Sequence, residues 1–109
     1  MAKPIEIKDQ AEFEAEVLTT TGTPVLVDFW SHTCPHCTKL NPEYDAAAEE
    51  QGENVKFAKV AAQDFMEIFR EFGVRGTPTL ILFRDGEEAA REAGFKTASQ
   101  ISDWLQQNL

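Results

Sequence analysis

Residues Val25-Leu26-Val27-Asp28-Phe29-Trp30 form a run of apolar side chains interrupted by one carboxylate. A strand with one wet face alternates apolar and polar residues, whereas a continuous run needs cover on both faces. The run therefore predicts a buried strand inside a sheet, with helices above and below. Directly beyond it stand both cysteines of the chain, in Cys34-Pro35-His36-Cys37, where a helical stretch begins. The 109 residues suffice for one core, and the expected organisation is a single domain over 1–109.

Composition removes several function classes. Ten basic residues against 19 acidic ones leave a formal charge of -9. Phosphate contacts need clustered Lys and Arg, so no nucleic-acid partner is expected. Eight Phe and two Trp are core material, which sets aside collagen-like and disordered chains. Two cysteines are too few for a disulfide scaffold and, alone, for a structural zinc site. No stretch approaches the ~20 apolar residues of a transmembrane helix, so no membrane partner is expected. The start, Met1-Ala2-Lys3-Pro4-Ile5-Glu6-Ile7-Lys8-Asp9, lacks the apolar stretch of a signal peptide, which makes the cytoplasm the expected location. Glu12, Glu14, Glu16, Glu49, Glu50, Glu53, Glu87 and Glu88 read as solvated faces that maintain solubility, and a monomer is expected.

Ile5 and Ile7 alternate with polar residues and predict a short strand. Asp9 with Glu12 fits a capping box for a helix over roughly 10–20, with Phe13, Val17 and Leu18 on its apolar face. A second helix is expected from about Cys34 to Glu50, kinked at Pro42 and ended by Gly52. A strand over about 54–60 follows. Asp64 with Glu67 then reads as another capping box, ahead of a helix with Phe65, Ile68, Phe69 and Phe72 at helical spacing and Gly73 just past its end. Thr79-Leu80-Ile81-Leu82-Phe83 is a strong strand, and Asp85-Gly86 is a hairpin signal that makes the next strand, about 87–94, antiparallel. Thr97 with Gln100 caps a last helix that buries Ile101, Trp104 and Leu105. The order β-α-β-α-β-α-β-β-α predicts an α/β fold whose first part is parallel, with helices on both faces and a closing hairpin.

A Cys-x-x-Cys at a strand-to-helix junction can close a disulfide across one turn with little strain. The partial positive charge of the helix N-terminus stabilises a thiolate on Cys34. His36 adds a proton or a hydrogen bond nearby, and Cys37 lies one turn deeper. This asymmetry predicts that Cys34 attacks a substrate disulfide and Cys37 resolves the mixed disulfide. Two other readings exist. The cysteines are either small core residues or, with His32 or His36, part of a zinc site. The junction disfavours the first, and the lack of a second Cys/His cluster disfavours the second, so no metal is expected.

The segment PVLVDFWSHTCPHCTKLNP, residues 24–42, resembles the active-site segment of the thioredoxin family. Gly73-Val74-Arg75-Gly76-Thr77-Pro78-Thr79 resembles its cis-proline loop, and Phe83 to Gly94 its closing hairpin. The resemblance implies a thioredoxin fold, a central mixed sheet flanked by helices on both faces. It implies a thiol-disulfide oxidoreductase in electron transport and cell redox homeostasis, with the Cys34–Cys37 pair as redox-active disulfide and no other cofactor. Asp28 corresponds to the buried acid beneath the second cysteine, where it exchanges a proton with Cys37. Burial raises the pKa of such a carboxyl. Lys59 resembles the lysine near that acid. Pro78 is expected after a cis bond, bringing the Thr77 backbone close to the disulfide, where a substrate strand can pair with it. Gly76 and Gly94 keep neighbouring backbone accessible, Pro35 sits between the cysteines, and Trp30 forms part of the apolar lip around Cys34. Trp104 is expected in the core.

Two departures from the family pattern stand out. Thr33 replaces the usual Trp before the first cysteine, which removes apolar surface that substrates and a reductase would touch. Pro35-His36 replaces Gly-Pro and resembles the dipeptide of periplasmic disulfide oxidases, which implies a more acidic Cys34 and a more oxidising pair. The expected partners are protein disulfides and a thioredoxin reductase as electron donor. The rival readings are a disulfide oxidase or isomerase, and a non-catalytic thioredoxin-like binding module.

Overall fold

The computed structural model describes residues 3–109; Met1 and Ala2, at the head of the segment read as lacking a leader, lie outside the described residues. Strand β1 is Ile5–Glu6, and helix α1 runs over Gln10–Phe13 and continues with π geometry over Glu14–Leu18. The Thr19 N–H donating to the Glu14 carbonyl at 2.9 Å closes one of its wide turns. Strand β2 is Val25–Trp30, helix α2 Pro35–Gln51, strand β3 Lys56–Ala61 and helix α3 Met66–Glu71. Strands β4 (Thr79–Arg84) and β5 (Glu87–Ala93) and helix α4 (Ala98–Asn108) complete the chain. Helix α2 continues past Pro42, the position expected to kink it.

The five strands lie in the order β1-β3-β2-β4-β5. β1 and β2 are both parallel to β3, whereas β4 is antiparallel to β2 and β5 to β4. Connector length accounts for the change of direction. The 17 residues of α2 span about 25 Å, enough to return the chain along the sheet before β3. The six of α3 span about 9 Å, roughly half a six-residue strand, so β4 starts near the end where β3 stopped.

The central position of β2 explains its apolar run. Val25, Val27 and Phe29 pack with Ile81, Phe83 and Val60 under Phe13, Val17, Ile68 and Phe69 of α1 and α3. Leu26 faces the other side, with Phe57, Leu80 and Leu82, under Leu40, Tyr44, Ile101 and Leu105 of α2 and α4. The buried Tyr44 hydroxyl lies 2.8 Å from the Ala58 carbonyl and 3.0 Å from that of Leu26, tying α2 to β2 and β3. Trp104 packs against this second cluster, as expected of a core residue.

Local signals behave unevenly. At α1 the Asp9 carboxylate accepts the Glu12 N–H at 2.7 Å, but the Glu12 side chain reaches back to the Lys8 N–H at 2.6 Å. Thr97 and Gln100 form the full reciprocal box on α4. The Asp64–Glu67 box does not form. The Asp64 and Phe65 N–H groups turn back onto the Ala61 and Ala62 carbonyls at the end of β3, so the helix starts one residue later and Phe65, with no side-chain cap, holds the capping position. At the other end of α3, Gly73 (φ 67°) and Val74 donate to the Arg70 and Phe69 carbonyls at 3.2 and 2.8 Å, a Schellman closure.

Asp85 (φ 53°) and Gly86 (φ 83°) make the two-residue turn between β4 and β5, both in the left-handed region. A Cβ on Gly86 would also collide with the Leu18 carbonyl at the end of α1, whereas one on Gly73 would meet open space. Gly86→Ala is therefore expected to destabilise by roughly 2–4 kcal/mol and Gly73→Ala by about 1 kcal/mol. Urea unfolding of both variants measures the difference, and equal losses would remove the Leu18 contact as its cause.

Candidate active site

Beyond Trp30 the chain turns through Ser31, His32 and Thr33 into α2. Gln63, from the loop after β3, clamps this turn. Its Oε1 accepts the His32 N–H and its Nε2 donates to Ser31 Oγ, both at 3.3 Å. Thr33 is exposed, and its N–H donates to Ser31 Oγ at 3.3 Å. Nothing in the sequence pattern marks Gln63, because its contacts join residues 31 and 32 positions apart.

Cys34 is the N-cap of α2, with extended backbone, and Pro35 stands at the first helical position, where an absent N–H breaks no helical bond. The Cys34 and Cys37 sulfurs are bonded, with Cα atoms 5.2 Å apart. Cys34 Sγ accepts the Cys37 N–H at 3.1 Å. Cys34 is half-buried and Cys37 is 1% exposed. In the dithiol form the outer sulfur thus sits at the positive end of a long helix, facing an N–H donor, and both features favour a thiolate. His36 is exposed in the first turn.

The Thr77–Pro78 peptide is cis, and Cys34 Sγ lies 3.5 Å from the Thr77 carbonyl oxygen. Gly94 (φ 95°) donates its N–H to the Pro78 carbonyl at 2.9 Å, and the Thr79 hydroxyl donates to the Gly76 carbonyl at 2.7 Å. Gly76 is exposed, with no heavy atom near the place its Cβ would take. The structure thus gathers Cys34, Thr77, Pro78 and Gly94 around one point. The contacts of the Trp30 ring run to the His32 ring, with centroids 4.4 Å apart, and to the Lys59 ammonium, 5.7 Å from its centroid. Among the described residues no group of three or more His, Cys, Asp or Glu could hold a metal ion.

Asp28 is completely buried, and neither carboxylate oxygen has a hydrogen-bond partner among the described residues. Loss of solvent pushes its pKa from 3.8 up to about 7, against the opposing charge of Lys59. Asp28 and Lys59 are partners in the parallel register of β2 and β3, so both project onto the α2 face of the sheet. The Lys59 ammonium donates to Asn41 Oδ1 of α2 at 2.8 Å. Asn41 was not singled out by its sequence context. The available signal was a polar residue four positions after Cys37, on the stripe that carries Leu40 and Tyr44 to the sheet.

The Asp28 shift is also a statement about stability. Below pH 4 the carboxyl is protonated whether the chain is folded or not. Between about 4 and 7 the unfolded chain has released the proton while the folded one keeps it, so stability falls as pH rises. Above 7 the full cost is on the order of 4 kcal/mol. Asp28→Asn removes the charge but leaves a buried amide unpaired, which offsets part of the gain. The variant is expected to be more stable than the parent by about 1–3 kcal/mol at pH 8 and to show no advantage at pH 4. Thermal unfolding at both values tests this, and an equal gain at each would exclude ionisation as the source.

The thioredoxin family model matches residues 4–107. Thioredoxin from Pseudomonas aeruginosa is 35% identical over 109 residues, covering all of both chains. Thioredoxin from Porphyra purpurea is 37% identical over 95 residues, covering 87% of this chain and 88% of the relative. The solved structure of Malassezia sympodialis thioredoxin superposes with a TM-score of 0.87, covering 99% of this chain and 92% of that one at 24% identity, which supports the fold. With the cysteine pair at the head of α2 opposite a cis-proline, and a family match across nearly the whole sequence, the chain belongs to the thioredoxin family.

Proposed function

We propose that this chain reduces protein disulfides by cycling Cys34 and Cys37 between dithiol and disulfide, working as one thioredoxin-like domain over residues 1–109. Thiol-disulfide oxidoreductase chemistry is the activity of its family. The observation that carries the reading is the Cys34 sulfur: half-exposed, at the N-terminus of α2, accepting the Cys37 N–H and lying against the Thr77 carbonyl.

The cycle follows from these positions. A substrate segment pairs with the backbone at Thr77, between the exposed Gly76 and the half-buried Gly94. The Cys34 thiolate attacks one substrate sulfur, a mixed disulfide forms, and the other substrate sulfur leaves as a thiolate. Asp28, ionised, takes the proton of Cys37. The Cys37 thiolate then attacks Cys34 Sγ, closes the Cys34–Cys37 disulfide and releases the second substrate thiolate. Two electrons pass from the dithiol to the substrate, and its two thiolates take up one proton given back by Asp28 and one from solvent, which received the Cys34 proton on ionisation. Because Asp28 must be ionised to accept, resolution slows as pH falls through about 7. Lys59 favours the ionised form by its charge. A thioredoxin reductase returns the two electrons, the pair itself is the redox group, and the chain acts as a cytoplasmic monomer. Among the described residues no helix is long and apolar enough to cross a membrane.

Rapid-mixing kinetics with a disulfide peptide test the roles. Cys37→Ser is expected to stop at the mixed disulfide through Cys34. Asp28→Asn is expected to pass through the same species roughly 100-fold more slowly than the parent at pH 8. A Cys37→Ser protein that turns over, or an Asp28→Asn protein that resolves at the parental rate, would overturn the assignment.

Pro35-His36 between the cysteines, with His36 in the first turn of α2, supports a pair that stabilises the reduced thiolate more than an ordinary thioredoxin does. The expected Cys34/Cys37 potential lies above the roughly -270 mV of such proteins. Equilibration with glutathione measures it, and a value at or below that level would refute the poise.

A further inference from the structure

A lysine opposite a buried carboxylate in a strand register would ordinarily be expected to pair with it. Lys59 does not: among the described residues no ion pair joins it to Asp28, and both Asp28 oxygens stay without hydrogen bonds. The ammonium instead donates to Asn41 Oδ1 at 2.8 Å and rests over the Trp30 ring at 5.7 Å. Lys59 is half-buried, its side chain is flexible, and an ammonium is strongly hydrated, so solvent competes for it. A hydrogen bond from a charged donor, helped by an aromatic face, is what keeps it at the sheet. The acceptor is an amide, which anchors the cation without cancelling its charge, as a carboxylate would.

We propose that Asn41 is a positioning residue for the redox centre: its side-chain amide anchors the Lys59 ammonium beside Trp30, so that the lysine's charge acts on the Asp28 carboxyl across space without forming an ion pair with it. The inference rests on the reading of Asp28 as the proton acceptor. The consequence is a carboxyl that can lose and regain a proton near neutrality. A direct ion pair would hold it ionised, and a lysine released to solvent would leave it protonated over more of the physiological range.

The groups facing Asp28 are few. From β3 comes Lys59. From α2 comes Tyr44, on the helix stripe that also carries Cys37, Leu40 and Asn41, and its phenol is held well above its usual range by burial. From β4 the register partner is Leu80, and α4 contributes Ile101, Trp104 and Leu105 to the same layer, none of which titrates here. In the oxidised protein the cysteines do not titrate, which isolates the carboxyl.

The test is a carbon NMR titration of the Asp28 carboxyl in the oxidised full chain, for the parent, Asn41→Ala, Lys59→Met and the double variant. Asn41→Ala is expected to move the midpoint up by about half a pH unit, roughly a threefold gain in proton affinity. Lys59→Met should move it up at least as far, and adding Asn41→Ala to it should change nothing more. Asn41→Leu, similar in shape and without an acceptor, is the second variant should alanine fail to fold, with the same expected shift. An unmoved or lowered midpoint, or a shift that persists in the Lys59→Met background, would overturn the proposal. The titration involves no turnover, so it stands or falls separately from the resolution kinetics of Asp28→Asn.

Discussion

Strand β2 is bonded to β3 on one side and β4 on the other and is closed over by helices on both faces, so its one polar side chain has no route to water. Its apolar residues are each worth about 1.5–3 kcal/mol of burial, which makes the strand the natural spine of the sheet. Asp28 is carried into that environment by its neighbours. The cost of its burial is what turns an ordinary carboxyl into a group that titrates near neutral pH. The strand then ends at Trp30, and the chain is delivered straight into the turn that caps α2 with Cys34. One element thus carries the buried acid and leads directly into the turn that bears Cys34.

The second constraint is the path from β3 to β4. A short α3 sends the chain back antiparallel, and the loop before β4 brings Thr77 and Pro78 against the Cys34 sulfur. Gly94, beyond β5, bonds to the Pro78 carbonyl and closes the same region from a third segment. The site is therefore assembled where the segments flanking β2, β4 and β5 meet at one end of the sheet, while the strands and the long α2 supply rigidity. The cysteine pair of the family is kept here, but the surface around it differs: Thr33 stands where a large aromatic side chain is usual, within a hydrogen-bonded network with Ser31 and Gln63.

Much of this was legible locally. The strands at 25–30 and 79–84, the hairpin at Asp85-Gly86, the Thr97–Gln100 box and the cysteine pair are each written into a few adjacent residues, because capping, turn geometry and two-sided burial act over that range. The Asp64–Glu67 pattern had the same local form and failed, because the end of β3 used the adjacent N–H groups in a turn. Asn41 and Gln63 were illegible for the opposite reason. Each is an ordinary polar residue whose partner arrives from a distant segment.

The sequence by itself determined the elements, the two-faced central strand, the unequal shielding of Cys34 and Cys37, and, through motif resemblance, the fold and chemistry they serve. Only the tertiary structure decided the direction of β4 against β2, the unpaired state of Asp28, and the anchoring of Lys59 by Asn41 rather than by the carboxylate. The division has a physical cause. Propensity, capping and apolar patterning are short-range and readable along the chain, whereas desolvation and the choice among competing hydrogen-bond acceptors depend on which surfaces meet in space.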